Sequence, residues 1–226
     1  MADGRTSEQH AIHVIPVRDR FRRLLADAAQ KIPEHADVLD VGAGEVPSYR
    51  DVLPESARMV DYDIFAGDVL GSADRLPFQE ASFDAVVTFA VFEHLRDPEA
   101  SLAEASRALR PGGLLLLGTH GVYPYHPTPS DYTRWTREGL AELVGRHFDV
   151  ESVDPAGGVA LTLTTLIGFY VEAMSRRRRF LRPLRLVVRL LNAVGSALDR
   201  TFTTTRQGPE AFGAMSVAYL VVARAR

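Results

Sequence analysis

The sequence contains no cysteine, which excludes disulfides, thiolate zinc sites and a cysteine nucleophile. Lysine is almost absent: Lys31 is the only one among 26 basic residues, the rest being arginine. An excess of charge is missing too. The 26 basic residues face 29 acidic ones and leave a net charge of -3, which argues against a nucleic-acid coat. The longest uncharged run, Ala156 to Val171, has 16 residues, short of the roughly 20 that a spanning helix needs. Met1 to His10 is polar and has no apolar core, so no secretory signal is expected. The expected location is the cytoplasm, peripheral to the membrane if residues 157–200 touch lipid.

What is present suits one folded unit. Hydrophobic residues make up 46% and charged residues 24% of the 226, which excludes a disordered or fibrous chain. At about 150 residues per domain, this length suits one domain with an elaboration. The expected division is a flexible N-terminus (1–15), then a single domain (16–226) that contains a helical insertion or lid (157–206).

Strand and helix patterns alternate from about residue 17 to 155. Phe21, Leu24, Leu25 and Ala28 share a face at helical spacing within 17–31. Short apolar runs predict buried strands at 37–41, 57–62, 83–89 and 113–119. Helices are expected at 100–109 and 136–146, the second capped by Thr136. Pro111-Gly112-Gly113 ends the first of these and turns into the next strand. The last two strands are expected at 147–153 and 216–223. Such a βαβα order predicts a mostly parallel sheet with helices on both faces. Ligands then bind at the carboxyl ends of the strands, just after Val41, Tyr62, Phe89 and Thr119. Within the insertion, Phe180, Leu184, Val187, Leu191, Val194 and Leu198 recur at steps of three and four. The favoured reading has this stripe packed inside a helical hairpin that covers the acceptor pocket. The other reading is an interfacial membrane anchor, suggested by Arg176 to Arg179.

Val38 to Glu45 (VLDVGAGE) is a strand running into a glycine turn. Glycine lets the backbone approach a ligand where a Cβ would clash. Asp63 follows Gly44 by 19 residues, at the end of the second strand, where a carboxylate can accept both ribose hydroxyls of an adenosine. Asp61 lies on the same strand face, farther from the end. Pro47 stands where a dinucleotide-binding turn has its third glycine. Proline has no N–H for a pyrophosphate, so a nucleoside ligand fits better than a nicotinamide dinucleotide. A plain tight turn remains compatible with the loop alone. Asp40, inside the first strand, needs a partner: loop N–H groups or the charged end of a ligand.

These residues resemble a class I S-adenosylmethionine-dependent methyltransferase of the small bacterial type. The matching segments run in order: VLDVGAGE (38–45), VDYDI (60–64), SADRLPF (72–78), FDAVVTFAVFEHLRD (83–97) and LRPGGLLLLG (109–118). The resemblance implies a Rossmann-like, doubly wound α/β fold. Its seven-stranded sheet is mostly parallel, with an antiparallel last strand and a helical insertion before it. It also implies S-adenosyl-L-methionine as cofactor. Gly42 and Gly44 would pass under its methionine and ribose parts. Asp63 would bind the ribose and Asp40 would lie nearby. Ala73 and Asp74 would line the adenine, and Phe89 and Ala90 would close the floor beneath the sulfonium. Val46 and Ser72 depart from the common pattern, where a small residue and an Asp are usual.

The activated donor needs an acceptor held in line and, for a hydroxyl, a base. The candidate catalytic residues are His120 at the end of the fifth strand and His126 in the loop after it, with Asp131 as orienting acid. Glu93-His94 is expected to fix the turn after the fourth strand. No close His-x-x-x-His pair is present, so no metal is expected. The predicted activity is methyl transfer to a small molecule or glycan, most readily O-methylation in secondary-metabolite or glycan biosynthesis. The alternatives are a non-catalytic cofactor-binding module and a methyltransferase of a lipid-linked substrate at a membrane surface. A nucleic-acid acceptor is not expected, and the oligomeric state is left open.

Overall fold

The computed structural model describes residues 14–45, 47–127, 129–177, 183–203 and 215–226. Several expectations fall outside these residues: most of the flexible N-terminus, the departure at Val46, Arg178 and Arg179 of the arginine run, Phe180 and Arg182.

Among the described residues, seven strands form one sheet in the order β3-β2-β1-β4-β5-β7-β6. They are β1 (Asp37–Val41), β2 (Arg58–Asp63), β3 (Val69–Leu70), β4 (Phe83–Phe89), β5 (Leu109–His120), β6 (Phe148–Pro155) and β7 (Ala218–Ala225). Strands β1 to β5 pair in parallel, and β7 runs antiparallel between β5 and β6. This is the Rossmann-like, doubly wound arrangement. The two-residue β3 has too short a pattern to be read from sequence.

Helix α1 (Ile15–Ala29) buries Leu25, Ala28 and Ala29 against one sheet face. Helix α2 (Pro98–Ala108) starts where the Asp97 carboxylate accepts the Ala100 N–H at 3.0 Å. Helix α3 (Arg137–Gly145) starts where the Thr136 hydroxyl accepts the Gly139 N–H at 3.1 Å. Between them, Leu114 to Leu117 of β5 are completely buried, each worth about 1.5–3 kcal/mol on burial. Phe83 pairs with Leu109 and Ala85 with Leu114, so Arg110 to Gly113 bulge out of the ladder. The proline and glycines therefore displace the strand locally without ending it.

The insertion lies between β6 and β7 as two helices, α4 (Val159–Arg177) and α5 (Leu184–Thr203). They pack on each other, and Glu172 pairs with Arg185 at 2.6 Å. Buried Asp199 of α5 accepts the N–H groups of Gly158, Ala160 and Leu161, satisfying the open first turn of α4. The stripe expected to pack inside the hairpin faces outward instead. Leu184, Val187, Val194 and Leu198 are each 40–50% exposed. The buried side of α5 is Val188, Asn192 and Asp199, because it must supply the cap for α4.

Candidate active site

Parallel pairing brings the carboxyl ends of β1, β2, β4 and β5 to one edge of the sheet. There the chain leaves β1 through Gly42, whose N–H donates to the Tyr62 carbonyl of β2 at 2.7 Å. Both glycines of this turn have positive φ: +83° at Gly42 and +66° at Gly44. Their surroundings differ. A Cβ on Gly42 would lie 2.1 Å from the Val91 side chain, so its bareness serves packing of the β1 exit against the β4 exit. A Cβ on Gly44 would meet no heavy atom within 4 Å, so this main chain borders open space.

Asp63 closes the turn from the side. One carboxylate oxygen accepts the Gly44 N–H at 3.1 Å and the other accepts the Phe65 N–H at 2.7 Å. Asp61 faces Arg50 instead. The two acids are separated because β2 ends at Asp63 and only that side chain reaches the glycine turn.

Asp40 is fully buried, and its expected loop N–H partners are replaced by side chains. Tyr49 donates its hydroxyl at 2.7 Å and Arg50 donates at 3.1 Å. Burial pushes the carboxyl up to about 7 against the pull of Tyr49 and Arg50. Arg50 thus bridges Asp40 and Asp61, while the Tyr49 ring stands edge-on to Phe89 at 4.5 Å. Sequence reasoning missed Tyr49 and Arg50, for no motif marks a short turn (Arg50–Val52) that folds back over β1.

The segment expected beside adenine is anchored from two sides. The Tyr62 hydroxyl donates to the Ser72 and Arg75 carbonyls, each at 3.0 Å. Glu104 of α2 accepts the Leu76 N–H, and Arg107 donates to the Leu76 and Phe78 carbonyls. Ala73 is buried and Asp74 exposed. Phe89 is buried at the end of β4. Ala90 follows with φ +56°, unusual for a residue with a Cβ, and its N–H donates to Gly118 of β5 at 2.8 Å.

On the β5 side, His120 meets the fully buried Glu93. The imidazole Nδ1 lies 2.5 Å from Glu93 Oε1, and the Thr119 hydroxyl donates to Glu93 Oε2 at 2.8 Å. Burial alone would raise the Glu93 carboxyl. The His120 charge and hydrogen bond outweigh it and, with the backbone and Thr119, hold the carboxyl down at about 2. The His120 ring stacks on Tyr123 at 4.0 Å between centroids, and Tyr123 meets Phe169 of α4 edge-on at 4.9 Å. His126 stands 6.1 Å from His120 and 5.5 Å from His94, between ring centroids.

Asp131 faces Arg134 and the main chain of the loop. Its carboxylate is paired with Arg134 and accepts the backbone N–H of His126 at 2.6 Å. Arg134 also donates to the Tyr123 and Pro124 carbonyls, so this pair braces the loop. The carboxylate beside His120 is that of Glu93, which in sequence reads only as part of a turn. His94 packs against the Ser130 carbonyl and holds the same loop to the β4 exit.

Residues 24–117 match the family model described as a methyltransferase domain. Over these residues the chain is similar to S-adenosylmethionine-dependent methyltransferases. Demethylmenaquinone methyltransferase of Renibacterium salmoninarum is 29% identical over 140 residues, 56% of this chain and 59% of that protein. The chain thus spans less than two thirds of that relative's length. Among solved structures, the 1,6-didemethyltoxoflavin-N1-methyltransferase of Burkholderia thailandensis has a TM-score of 0.58 at 17% identity, covering 99% of this chain and 82% of that one. The [4+2]-cyclase SpnF has a TM-score of 0.57 at 17% identity, covering 91% and 80%. At these identities the likeness extends to the fold alone, and a cyclase on the same fold shows that the reaction must be argued from the site.

The residues of this site suit S-adenosylmethionine as cofactor. The open face at Gly44 leaves room for a ligand against bare main chain, and Asp63 offers carboxylate oxygens on the same side of the turn. Gly44, Asp63 and Ala90 would hold it. Asp40 would act at one remove, through Tyr49 and Arg50. When bound, S-adenosylmethionine supplies an electrophilic methyl group on a sulfonium.

Proposed function

We propose that the chain transfers the methyl group of S-adenosylmethionine to a hydroxyl of a small molecule or glycan, with His120 as the base. The observation that supports this most is the Glu93–His120 pair. A buried carboxylate 2.5 Å from Nδ1 favours the proton on that nitrogen and leaves Nε2 as the proton acceptor. The pair sits on the sheet edge that carries Gly44 and Asp63. In this reading Asp63 and the bare turn hold the donor, and Tyr123 holds the imidazole flat. His120 Nε2 removes the acceptor proton as the oxygen–methyl bond forms.

A lipid-linked acceptor is the second reading. It draws support from the similarity to demethylmenaquinone methyltransferases and from the apolar outer face of the hairpin that borders the site through Phe169.

Calorimetry with S-adenosylmethionine, together with release of S-adenosylhomocysteine across a panel of hydroxyl and amine acceptors, tests the proposal. Binding with turnover on a hydroxyl acceptor is expected. Turnover confined to amines would remove the O-methylation assignment. Binding without turnover on any acceptor would leave a non-catalytic module. Absence of binding would remove the cofactor site.

A further inference from the structure

Helices α4 and α5 keep polar side chains on their buried sides and large apolar ones in the open. The buried side of α4 includes Thr162, Thr165 and Ser175 beside Leu161, and that of α5 includes Asn192 and Asp199 beside Val188. The exposed side is apolar: Leu163, Ile167 and Tyr170 recur on α4, and Leu186, Leu190 and Val194 on α5. Leu186 and Leu190 are each 66% exposed and Tyr170 is 68% exposed, the reverse of a helix that uses its apolar stripe to pack. No acidic side chain is exposed on either helix among the described residues. Glu172 is half-buried against Arg185 and Asp199 is buried as a cap. Arg189 is exposed beside the apolar stripe.

Charge separates along the chain in the same way. Residues 157–206 contain nine arginines against two acids, a surplus of seven positive charges. The remainder, with 17 basic and 27 acidic residues, has a deficit of ten. The basic excess of an otherwise acidic protein is thus gathered on its apolar-faced insertion.

We propose that the α4–α5 hairpin lies on an anionic lipid surface, with its exposed leucines and Tyr170 in the headgroup boundary and Arg189 beside them on lipid phosphates. Such a surface meets both features at once: apolar side chains enter the acyl boundary, and arginines reach the phosphates with their stems alongside. A second copy meets the apolar face but sets two strongly basic hairpins against each other across a two-fold contact, and a nucleic acid leaves the leucines in water. Among the described residues no helix is long and apolar enough to cross a membrane, so the contact is in the plane of the surface. Phe169, next to Tyr170 on α4, touches Tyr123 beside His120, which places this surface next to the candidate acceptor side. The inference goes beyond methyl transfer and does not depend on it.

The test is flotation of the full chain with vesicles of phosphatidylcholine containing phosphatidylglycerol, against pure phosphatidylcholine, at low and at moderate salt. The expected result is a preference of about tenfold or more for the anionic vesicles, shrinking as salt rises. Leu186→Glu/Leu190→Glu should abolish flotation without changing the melting temperature, since both side chains are exposed. Arg189→Glu should weaken it severalfold. Absence of wild-type flotation at low salt would overturn the proposal. So would undiminished flotation of the double variant. A wild-type dimer that the double variant converts to monomer would also overturn it, by making the face a contact between copies. Cofactor calorimetry on the same samples separates this outcome from the fate of the methyl-transfer reading.

Discussion

Glu93 and His120 meet at 2.5 Å although they stand at the exits of two different strands. The contact exists because β4 and β5 are parallel neighbours, with Phe89 opposite Gly118. The chain after β4 therefore drops its buried carboxylate beside the last residue of β5.

Replacing Glu93 by Gln should reduce turnover by about 10²-fold or more while leaving S-adenosylmethionine affinity unchanged. Glu93→Asp should recover part of the rate. The Glu93 carboxyl is held at about 2 in the fold, below its ordinary value of about 4.3. Its stabilisation is thus complete above that ordinary value and is lost as pH falls through 2. Melting temperatures of wild type and Glu93→Gln should converge on acidification.

The two glycines of the turn should respond differently to alanine. At Gly42 the new Cβ runs into Val91 at 2.1 Å, adding about 1–3 kcal/mol of overpacking to the strain of positive φ. At Gly44 only the left-handed backbone opposes it, about 1–2 kcal/mol, since space beside it is open. Thermal melts should therefore show Gly42→Ala as the more damaged fold. Calorimetry should show that Gly44→Ala, still folded, loses affinity for S-adenosylmethionine.

Asp63 and Asp61 lie on the same strand face, yet only Asp63 bonds the glycine turn. Asp63→Ala should lower cofactor affinity by about tenfold or more, the loss of one or two hydrogen bonds to a charged acceptor. Asp61→Ala, which removes one of the two carboxylate partners of Arg50, should change affinity far less than it changes stability. Equal effects of the two substitutions on affinity would contradict the assignment.

Asp40 predicts an opposite pH dependence. Burial raises its carboxyl to about 7 in the fold, above the ordinary value of about 3.9. Between those values the folded state binds more protons than the unfolded one, so stability falls as pH rises. The slope from this group is at most about 1.4 kcal/mol per pH unit. Asp40→Asn keeps an acceptor for the Tyr49 hydroxyl and removes the ionisation. Denaturant melts from pH 4 to 7 should show wild type losing ground to this variant, and equal slopes would refute the shift.

Arg134→Ala should loosen the loop after β5 without disturbing the Glu93–His120 pair. Arg134 holds Asp131 and the Tyr123 and Pro124 carbonyls. Faster proteolysis within 121–135 is expected, with cofactor affinity retained.

The parts of this protein that follow from local chemistry were legible in its sequence. Apolar runs between glycines and prolines can only be buried strands, so β1 and β4 fall at Asp37–Val41 and Phe83–Phe89 as read. The turn at Gly42 and Gly44 and the acid at Asp63 are likewise marked by spacing along one chain. What escaped depends on which side chains meet across elements. Asp131 and Glu93 are both acids near histidines in sequence. Only the parallel pairing of β4 and β5 assigns Glu93 to His120, and only the fold of the loop gives Asp131 to Arg134. The stripe at Leu184, Val187, Val194 and Leu198 has helical period whichever way it faces. Periodicity fixes a face and not its direction. Asp199, reaching back to cap α4, decided that the stripe turns outward.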